Sequence, residues 1–245
     1  MKDKVALITG GALRIGAEMV RTFHREGFNI ILHYNDSEQA ARELQTQLCS
    51  IREDSVRLLQ LDLVSCNDWD KVVAFCQDQW GRLDVLVNNA SSFYPTRLGE
   101  IEEQHWDDLL GTNLKAPFFL CQALAPALRE NAGTIVNIVD IHAARPLKNY
   151  SVYSVAKAGL IMLTRSLAKE LAPEVRVNGI APGAILWPEN KAELTDQTRA
   201  NIIRQIPLKR QGAPADVAKT ALFLATDAPY INGQILAVDG GRSLS

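Results

Sequence analysis

Two residues four positions apart, Tyr153 and Lys157 in the segment YSVYSVAKAGL, could together transfer a proton. On a helix, side chains at this spacing project from the same face. An ammonium group beside a phenol favours the phenolate and lowers the phenol pKa from about 10 towards the working pH. Such a phenol can act as a proton donor or acceptor. The same spacing is also typical of ordinary neighbours on a helix surface. Other motifs in the chain must therefore decide whether this pair is catalytic.

A second chemical signal is the segment LITGGALRIG at residues 7–16, which lies between a predicted strand and a predicted helix. Gly10, Gly11 and Gly16 allow a tight turn whose free amides could bind phosphate at the start of the helix. Arg14 stands where such loops usually carry another glycine. A cation in the first turn opposes the helix dipole, so a nearby anionic ligand explains Arg14 better than a solvated surface position does.

Polar and aromatic side chains follow the predicted strands. The segment NNASSFYPT places Phe93 and Tyr94 just after the fourth strand, where a flat ring could stack on a planar heterocycle or could simply pack a short loop. Asn113 is a polar residue within an apolar helical pattern, and a buried asparagine with satisfied hydrogen bonds is the plain alternative to a catalytic role. Asp62 ends the third strand, and the rigid turn APG at 181–183 ends the sixth.

The chain alternates short apolar runs with longer helical patterns, which predicts the elements that position these residues. Predicted strands span 4–8, 29–34, 56–61, 84–88, 134–139, 175–180 and 234–238; predicted helices span 14–26, 38–49, 67–80, 103–130 with a break near Pro117, 151–171 and 214–226. The pattern predicts a single α/β domain over 1–245, with a doubly wound, Rossmann-type parallel sheet of seven strands and helices on both faces.

Ligands of such sheets lie beyond the carboxyl ends of the strands. We therefore expect a cofactor-binding half over about 1–135 and a catalytic and substrate-binding region over about 136–245. The segment 184–212 interrupts the alternation and is a candidate lid.

Composition excludes several classes of protein. The 245 residues are 47% hydrophobic and 22% charged with a net charge of −2, so no nucleic-acid partner or anionic membrane surface is expected. No apolar run reaches the roughly 18 residues that a membrane helix needs, and the first predicted strand leaves no room for a signal peptide. The four cysteines lack metal-binding or redox spacing, which predicts no metal site and a cytoplasmic protein with reduced thiols.

The motifs TGxxxxxG, NNA, a mid-chain asparagine, YxxxK and PG, in this order along essentially the whole chain up to VDGG at 238–241, resemble the short-chain dehydrogenase/reductase family. The resemblance implies that Tyr153 is the catalytic acid/base, that Lys157 lowers the Tyr153 pKa and holds the nicotinamide ribose, and that Asn113 supports a proton relay. It also implies a homotetramer. Further cofactor contacts would come from Gly10, Arg14, Ile15, Gly16, Asp62, Leu63, Asn89, Ala90, Pro182 and Gly183.

Asp140 departs from the usual family pattern, in which a serine stands thirteen residues before the tyrosine. A carboxylate beside a developing alkoxide is repulsive by several kcal/mol, as an order of magnitude, in a poorly screened site. Ordinary ketone reduction should therefore suffer. Asp140 favours a substrate that gains a proton on nitrogen or presents N–H donors, or else it marks lost catalysis.

Arg14, the segment NNASSFYPT, Asp140 and the segment RPL at 145–147 together resemble the pteridine reductase branch of that family. The resemblance implies that Phe93 stacks a pterin on the nicotinamide, that Arg14 bridges cofactor phosphate and pterin, and that Ser91 binds the pterin edge. Asp140 with Tyr153 would protonate a ring nitrogen. Related reductases of dihydromonapterin or dihydrofolate with this fold remain alternatives.

Tyr34 occupies the position where NAD-dependent members carry an acid, which favours NADPH. His33, Ser37 and the following helix start could bind its extra phosphate, whereas Asp36 stands where the resembling branch has an arginine. Three other hypotheses remain: a reductase of oxoacyl or sugar ketones, a catalytically inactive binding subunit, and an epimerase relative, which fits poorly without an appended substrate domain.

Overall fold

A computed structural model describes residues 3–187 and 195–244 of the chain. Seven parallel strands form one sheet in the order β3-β2-β1-β4-β5-β6-β7. The strands are β1 Val5–Ile8, β2 Asn29–Tyr34, β3 Val56–Gln60, β4 Val85–Asn88, β5 Thr134–Ile138, β6 Arg176–Pro182 and β7 Ile235–Val238. The seven predicted strands are confirmed, with ends that move by at most two residues.

Helices cover both faces of the sheet, because the strands are apolar on both sides. The helices are α1 Arg14–Arg25, α2 Glu38–Cys49, α3 Trp69–Trp80, α4 Glu103–Leu110, α5 Ala116–Glu130, α6 Ser151–Glu170, α7 Asp196–Gln205 and α8 Pro214–Thr226. Buried side chains of α1, α2 and α8 form one core, and those of α3, α5 and α6 form the other. The predicted single-domain, doubly wound α/β fold is confirmed.

The order of the strands reverses between β1 and β4, which pair directly with Leu7 opposite Leu86. The chain leaves β1 towards one edge of the sheet and continues from β4 towards the other. The loops that follow these two strands therefore diverge and leave a crevice at their carboxyl ends. This crevice receives the glycine-rich loop from β1 and the NNA turn from β4.

The predicted helix 103–130 is interrupted, as expected, shortly before Pro117. A π-helical turn, Gly111–Lys115, joins α4 to α5 and contains Asn113. Pro117 lies in the first turn of α5, where its missing N–H is tolerated. Single π-helical turns are frequent at functional sites because they redirect a side chain without ending the helix.

The segment 184–212 contains α7, a helix that the sequence pattern did not predict. No residue of α7 is buried, so the segment lacks the apolar face on which helix prediction depends. The candidate lid falls partly on residues 188–194, which lie outside the described residues. Among the helices of the described ranges, none has the length and apolar character needed to cross a membrane.

Candidate active site

The loop between β1 and α1 is shaped by glycines that cannot be replaced without distortion. Gly10 has φ +60°, in the left-handed region, and a Cβ on Gly16 would collide with the carbonyl oxygen of Gly10. Asn89 fixes the same loop from the β4 side, because its Nδ2 donates to the carbonyl oxygens of Thr9 (2.8 Å) and Gly10 (3.1 Å). Asn89 thus positions the predicted phosphate loop.

His33 holds this loop from the β2 side. The N–H of Gly10 donates to His33 Nδ1 at 3.1 Å, so the proton lies on Nε2, which donates to the carbonyl oxygen of Leu61 at 2.9 Å. Burial lowers the pKa of His33 to about 4, so the ring is neutral. Direct contact of His33 with a phosphate, as predicted, would require one of these two bonds to break.

A cavity of about 500 Å³ opens beside the loop at the carboxyl ends of β1, β2 and β3. Its walls bring together the predicted cofactor residues Gly10, His33, Tyr34, Ser37, Asp62, Leu63 and Ala90. Asp36 lies on the same wall. The position and size of the cavity fit the adenosine end of a dinucleotide. The carboxylate of Asp62 already accepts hydrogen bonds from Val64 N–H and Ser65 Oγ, which leaves less of it for a cofactor.

The remaining predicted cofactor residues lie around the same crevice. Ile15 packs against the core beneath α1, and Pro182 ends β6 on the other side of the reversal point. Gly183 donates its N–H to the carbonyl oxygen of Val238 at 3.0 Å, and a Cβ there would meet Asp239 at 2.7 Å. This tight packing explains why the turn after β6 carries glycine.

Arg14 joins the glycine loop to the chain that follows β6. Its Nη2 donates to the carbonyl oxygen of Trp187 at 3.1 Å, and its backbone has φ +54°. A residue with a Cβ in this conformation is strained by roughly 1–2 kcal/mol. The predicted bridge between phosphate and pterin stays a prediction, but the side chain does span the mouth of the crevice.

Asp140, which follows β5, and Tyr153, on α6, meet at the centre of the site. The hydroxyl of Tyr153 donates to Asp140 Oδ2 at 2.8 Å. Asp140 Oδ1 accepts from the N–H of His142 at 2.8 Å, which fixes the carboxylate on the short helical turn Ile141–Ala143. Asp140 and the phenol of Tyr153, which were predicted to act together, are thus in direct contact, and their catalytic roles stay predictions.

The expected effect of Lys157 on Tyr153 is wrong for this structure. Burial, followed by the charge of Asp140 and its hydrogen bond, raises the Tyr153 pKa well above its usual 10. Lys157 Nζ lies 5.7 Å from the centre of the Tyr153 ring and donates to the carbonyl oxygen of Ile138 at 2.9 Å. Asp140, in direct contact, therefore outweighs the lysine. Tyr153 is thus protonated and carries the hydroxyl proton that it donates to Asp140.

A short polar chain leads from the phenol into α4. Ser91 lies within hydrogen-bonding reach of Tyr153, and its Oγ donates to Asn113 Oδ1 at 2.7 Å. Asn113 Nδ2 donates to the carbonyl oxygens of Ser92 (3.0 Å) and Leu109 (2.9 Å). The two sequence-based readings of Asn113 are thus compatible: its hydrogen bonds are satisfied, and it holds the serine beside the phenol.

Phe93 forms an aromatic wall above the phenol. Its ring stacks on Tyr150 at 4.6 Å between centroids and meets the edge of Tyr153 at 4.9 Å. The side chain is still 41% exposed, so it keeps surface available for a flat ligand. No role was predicted for Tyr150; its place three residues before Tyr153, at the N-cap of α6, was the available signal.

Comparison with known proteins agrees with this geometry. A family model described as enoyl-(acyl carrier protein) reductase matches residues 11–243. The chain is 37% identical to pteridine reductase 1 of Leishmania tarentolae over 282 aligned residues, covering 98% of this chain and 96% of the relative. It is 36% identical to the 3-oxoacyl-[acyl-carrier-protein] reductase of Staphylococcus epidermidis over 242 residues, covering 98% of each chain.

The corresponding 3-oxoacyl reductase of Chlamydia trachomatis is 34% identical over 247 residues, again covering 98% of each chain. Relatives with two different activities thus match at nearly equal identity, so overall similarity does not decide the substrate. The fold, the ordered motifs and these whole-chain matches show that the protein is an oxidoreductase that belongs to the short-chain dehydrogenase/reductase family.

Proposed function

We propose that the protein is an NADPH-dependent pteridine reductase, which converts dihydropterins to tetrahydropterins. The observation that carries the proposal is the 2.8 Å hydrogen bond from Tyr153 to the carboxylate of Asp140. A carboxylate at this position suits a nitrogen heterocycle, because it can accept N–H donors and can stand beside a nitrogen that gains a proton.

Ketone reduction is disfavoured by the same carboxylate. A substrate carbonyl that accepts the proton of Tyr153 would develop negative charge next to Asp140. Repulsion between two negative groups about 4 Å apart is on the order of several kcal/mol where screening is weak. Lys157 Nζ lies farther away, 5.7 Å from the centre of the Tyr153 ring, and donates to the carbonyl oxygen of Ile138, so the carboxylate in direct contact has the larger effect.

The residues of the site then have distinct tasks. When bound, the reduced nicotinamide supplies a hydride to a ring carbon, and the adjacent ring nitrogen takes the hydroxyl proton of Tyr153. The charge of Lys157 stabilises the phenolate that remains. Ser91 and Asn113 keep the phenol in place, and the exposed face of Phe93 orients the planar ring.

The experiment is an NADPH-oxidation assay with dihydrobiopterin, dihydromonapterin, dihydrofolate and a 3-oxoacyl thioester. We expect the wild type to reduce at least one pterin, and Asp140→Ser to lose about a hundredfold or more of that activity, the usual effect of removing a catalytic acid–base partner. Asp140→Asn is the matched control, because it keeps the shape and removes the charge. It should lose pterin turnover as well, which would show that the reaction needs the charge of Asp140 and not only its shape.

Turnover of the thioester alone by the wild type would overturn the proposal in favour of a 3-oxoacyl reductase. Absence of hydride transfer to every substrate would indicate a binding subunit that has lost catalysis. In the first case Asp140→Ser should increase thioester turnover, since the repulsive carboxylate is gone.

NADPH is inferred from the end of β2. Tyr34 offers no carboxylate to the ribose diol, and Ser37, at the start of α2, lines the cavity, where a hydroxyl and a helix N-terminus favour a phosphate. Asp36 on the same wall opposes a phosphate, so we expect a modest preference for NADPH over NADH. Asp36→Asn should increase that preference about tenfold in kcat/KM, the effect of removing one nearby like charge. Asp78→Asn, on the exposed side of α3, should leave it unchanged.

A further inference from the structure

A second cavity, of about 430 Å³, adjoins the catalytic carboxylate. Three separate segments build it: the turn after β5, the end of α7 and the turn after β7. The residues that line it are Ile141, His142, Arg145, Pro146, Gln205 and Arg242. The family resemblance assigned none of these side chains a role.

The turn after β5 connects this cavity to Asp140 in the chain. Ile141 and His142 directly follow Asp140, and the N–H of His142 holds Asp140 Oδ1 at 2.8 Å. Arg242 is close enough to Asp140 for the two charges to interact, although burial has the larger effect and lowers the Arg242 pKa. A heterocycle held at Asp140 and Tyr153 therefore lies next to the cavity, and a substituent on that heterocycle can enter it.

The turns that carry the two arginines are fixed by the protein. Asp239 accepts from the N–H groups of Gly241 (2.8 Å) and Ser243 (2.6 Å), so its carboxylate holds the turn that presents Arg242. On the other wall, His142 Nδ1 and the carbonyl oxygen of Arg145 are 3.0 Å apart. Such supports reduce the entropy that a ligand would lose on binding.

Arginines are the charged groups among the described residues that line the cavity. Arg145 and Arg242 line it, and its described walls include no aspartate or glutamate. The carboxylates of Asp140 and Asp239 nevertheless lie close enough to offset part of the lowering that burial imposes on the Arg242 pKa. The cofactor cavity has the opposite character, with Asp36, Asp62 and Asp108 on its walls. Guanidinium groups bind carboxylate and phosphate oxygens through paired hydrogen bonds.

We propose that this cavity binds an anionic group, carboxylate or phosphate, on the side chain of the substrate. The inference rests on the proposed function, because it assigns the tail of the pteridine that the site reduces. Arg145 and Arg242 are then specificity-determining residues, and the pteridine ring itself is recognised elsewhere.

The test compares substrates that share the ring and differ in the tail: dihydrobiopterin with a neutral tail, dihydrofolate with carboxylates, and dihydroneopterin phosphate. Arg145→Gln and Arg242→Gln should raise KM about tenfold for the anionic substrate that the cavity accepts, the usual effect of losing one charge-assisted hydrogen bond. The KM for dihydrobiopterin should change less than about threefold. Lys71→Gln, on α3 and fully outside both cavities, removes the same charge and should change neither value.

The comparison of dihydrofolate with dihydroneopterin phosphate shows whether the cavity accepts a carboxylate or a phosphate. If the arginine variants raise KM equally for substrates with neutral and with anionic tails, the inference is overturned and the proposed function is left intact. Failure of every pterin in the wild type would instead overturn the proposed function.

A binding measurement keeps the two failures separate. Calorimetry with p-aminobenzoylglutamate and with inorganic phosphate, which need no turnover, should detect an affinity in the wild type that the Arg145→Gln/Arg242→Gln double variant loses. If the wild type binds both probes no better than the double variant, the cavity has no anion site.

Discussion

Lys157 is only 2% exposed, and burial lowers its pKa to about 8. A lysine whose pKa is lowered carries its charge below that value and loses it as the pH rises. Tyr153 has a raised pKa and stays protonated over the same range. We therefore predict that kcat/KM for the pterin falls about tenfold for each pH unit above about 8, as expected for loss of one required proton.

Asp140 raises the Lys157 pKa, so the Asp140→Asn variant should show the same decline beginning at a lower pH. Single-turnover measurements can follow the residual rate. A decline that begins only near pH 10 in the wild type would contradict the prediction that a Lys157 with a lowered pKa limits the reaction.

Tyr153, Lys157, Asp140 and Phe93 could be found in the sequence because their residue types and spacing are unusual together. His33 and Tyr150 could not be assigned their roles, because their partners, Gly10 and Phe93, are more than twenty residues away in the chain. The pKa of Tyr153 was also beyond sequence reasoning. It depends first on the burial of the phenol and then on its contact with Asp140, and both follow from the folded structure.

The loop that carries Phe93 is held by α4. Tyr94 donates its hydroxyl to Asp108 Oδ2 at 2.7 Å, and Ser92 donates to Asp108 Oδ1 at 3.2 Å. Tyr94→Phe removes the first bond and keeps the ring. We predict that the loop loosens and the KM for the pterin rises about threefold to tenfold, since a neutral-to-charged hydrogen bond contributes roughly 1 kcal/mol or more.

The KM for NADPH should change less than the KM for the pterin, because the lost bond holds the Phe93 loop, whereas Asp108, on the cofactor-cavity wall, keeps its bond from Ser92. Tyr230→Phe is the control, because Tyr230 is an exposed residue that contacts neither cavity. Equal changes in both KM values for Tyr94→Phe would show general disruption of the site instead of a role in placing Phe93.

Strands and most helices were predictable because burial leaves a periodic apolar pattern in the sequence. Helix α7 has no buried residue, so it leaves no such pattern. The π-helical turn at Gly111–Lys115 was visible only as a break near Pro117, since one extra residue in a turn does not change residue types.

We propose that copies of the chain contact each other through the outer side of α6, as the expected homotetramer would need. Val155, Ala158 and Met162 are exposed apolar residues on one stripe of this helix. Trp106 on α4 and Phe118 on α5 are also exposed apolar residues. Exposed apolar side chains at helical spacing are typical of an interface. They support the expectation of a homotetramer.

We predict that the wild type sediments as a tetramer and that Met162→Glu shifts it to dimers or monomers, because a buried unpaired carboxylate is strongly destabilising. Lys219→Glu, on the exposed side of α8, should leave the assembly unchanged. A monomeric wild type at micromolar concentration would contradict the prediction.

The backbone of Arg14 has a consequence for how variants of this protein should be ranked. At φ +54° a glycine is comfortable and an arginine is not, so Arg14→Gly should raise the melting temperature by roughly 2–4 °C, the shift that about 1 kcal/mol gives in a domain of this size. The same change removes a cation from the mouth of the crevice. A screen for heat resistance alone would therefore select Arg14→Gly, although we expect this variant to have lost pterin turnover. Melting temperature and turnover should be scored together in any engineering of this enzyme.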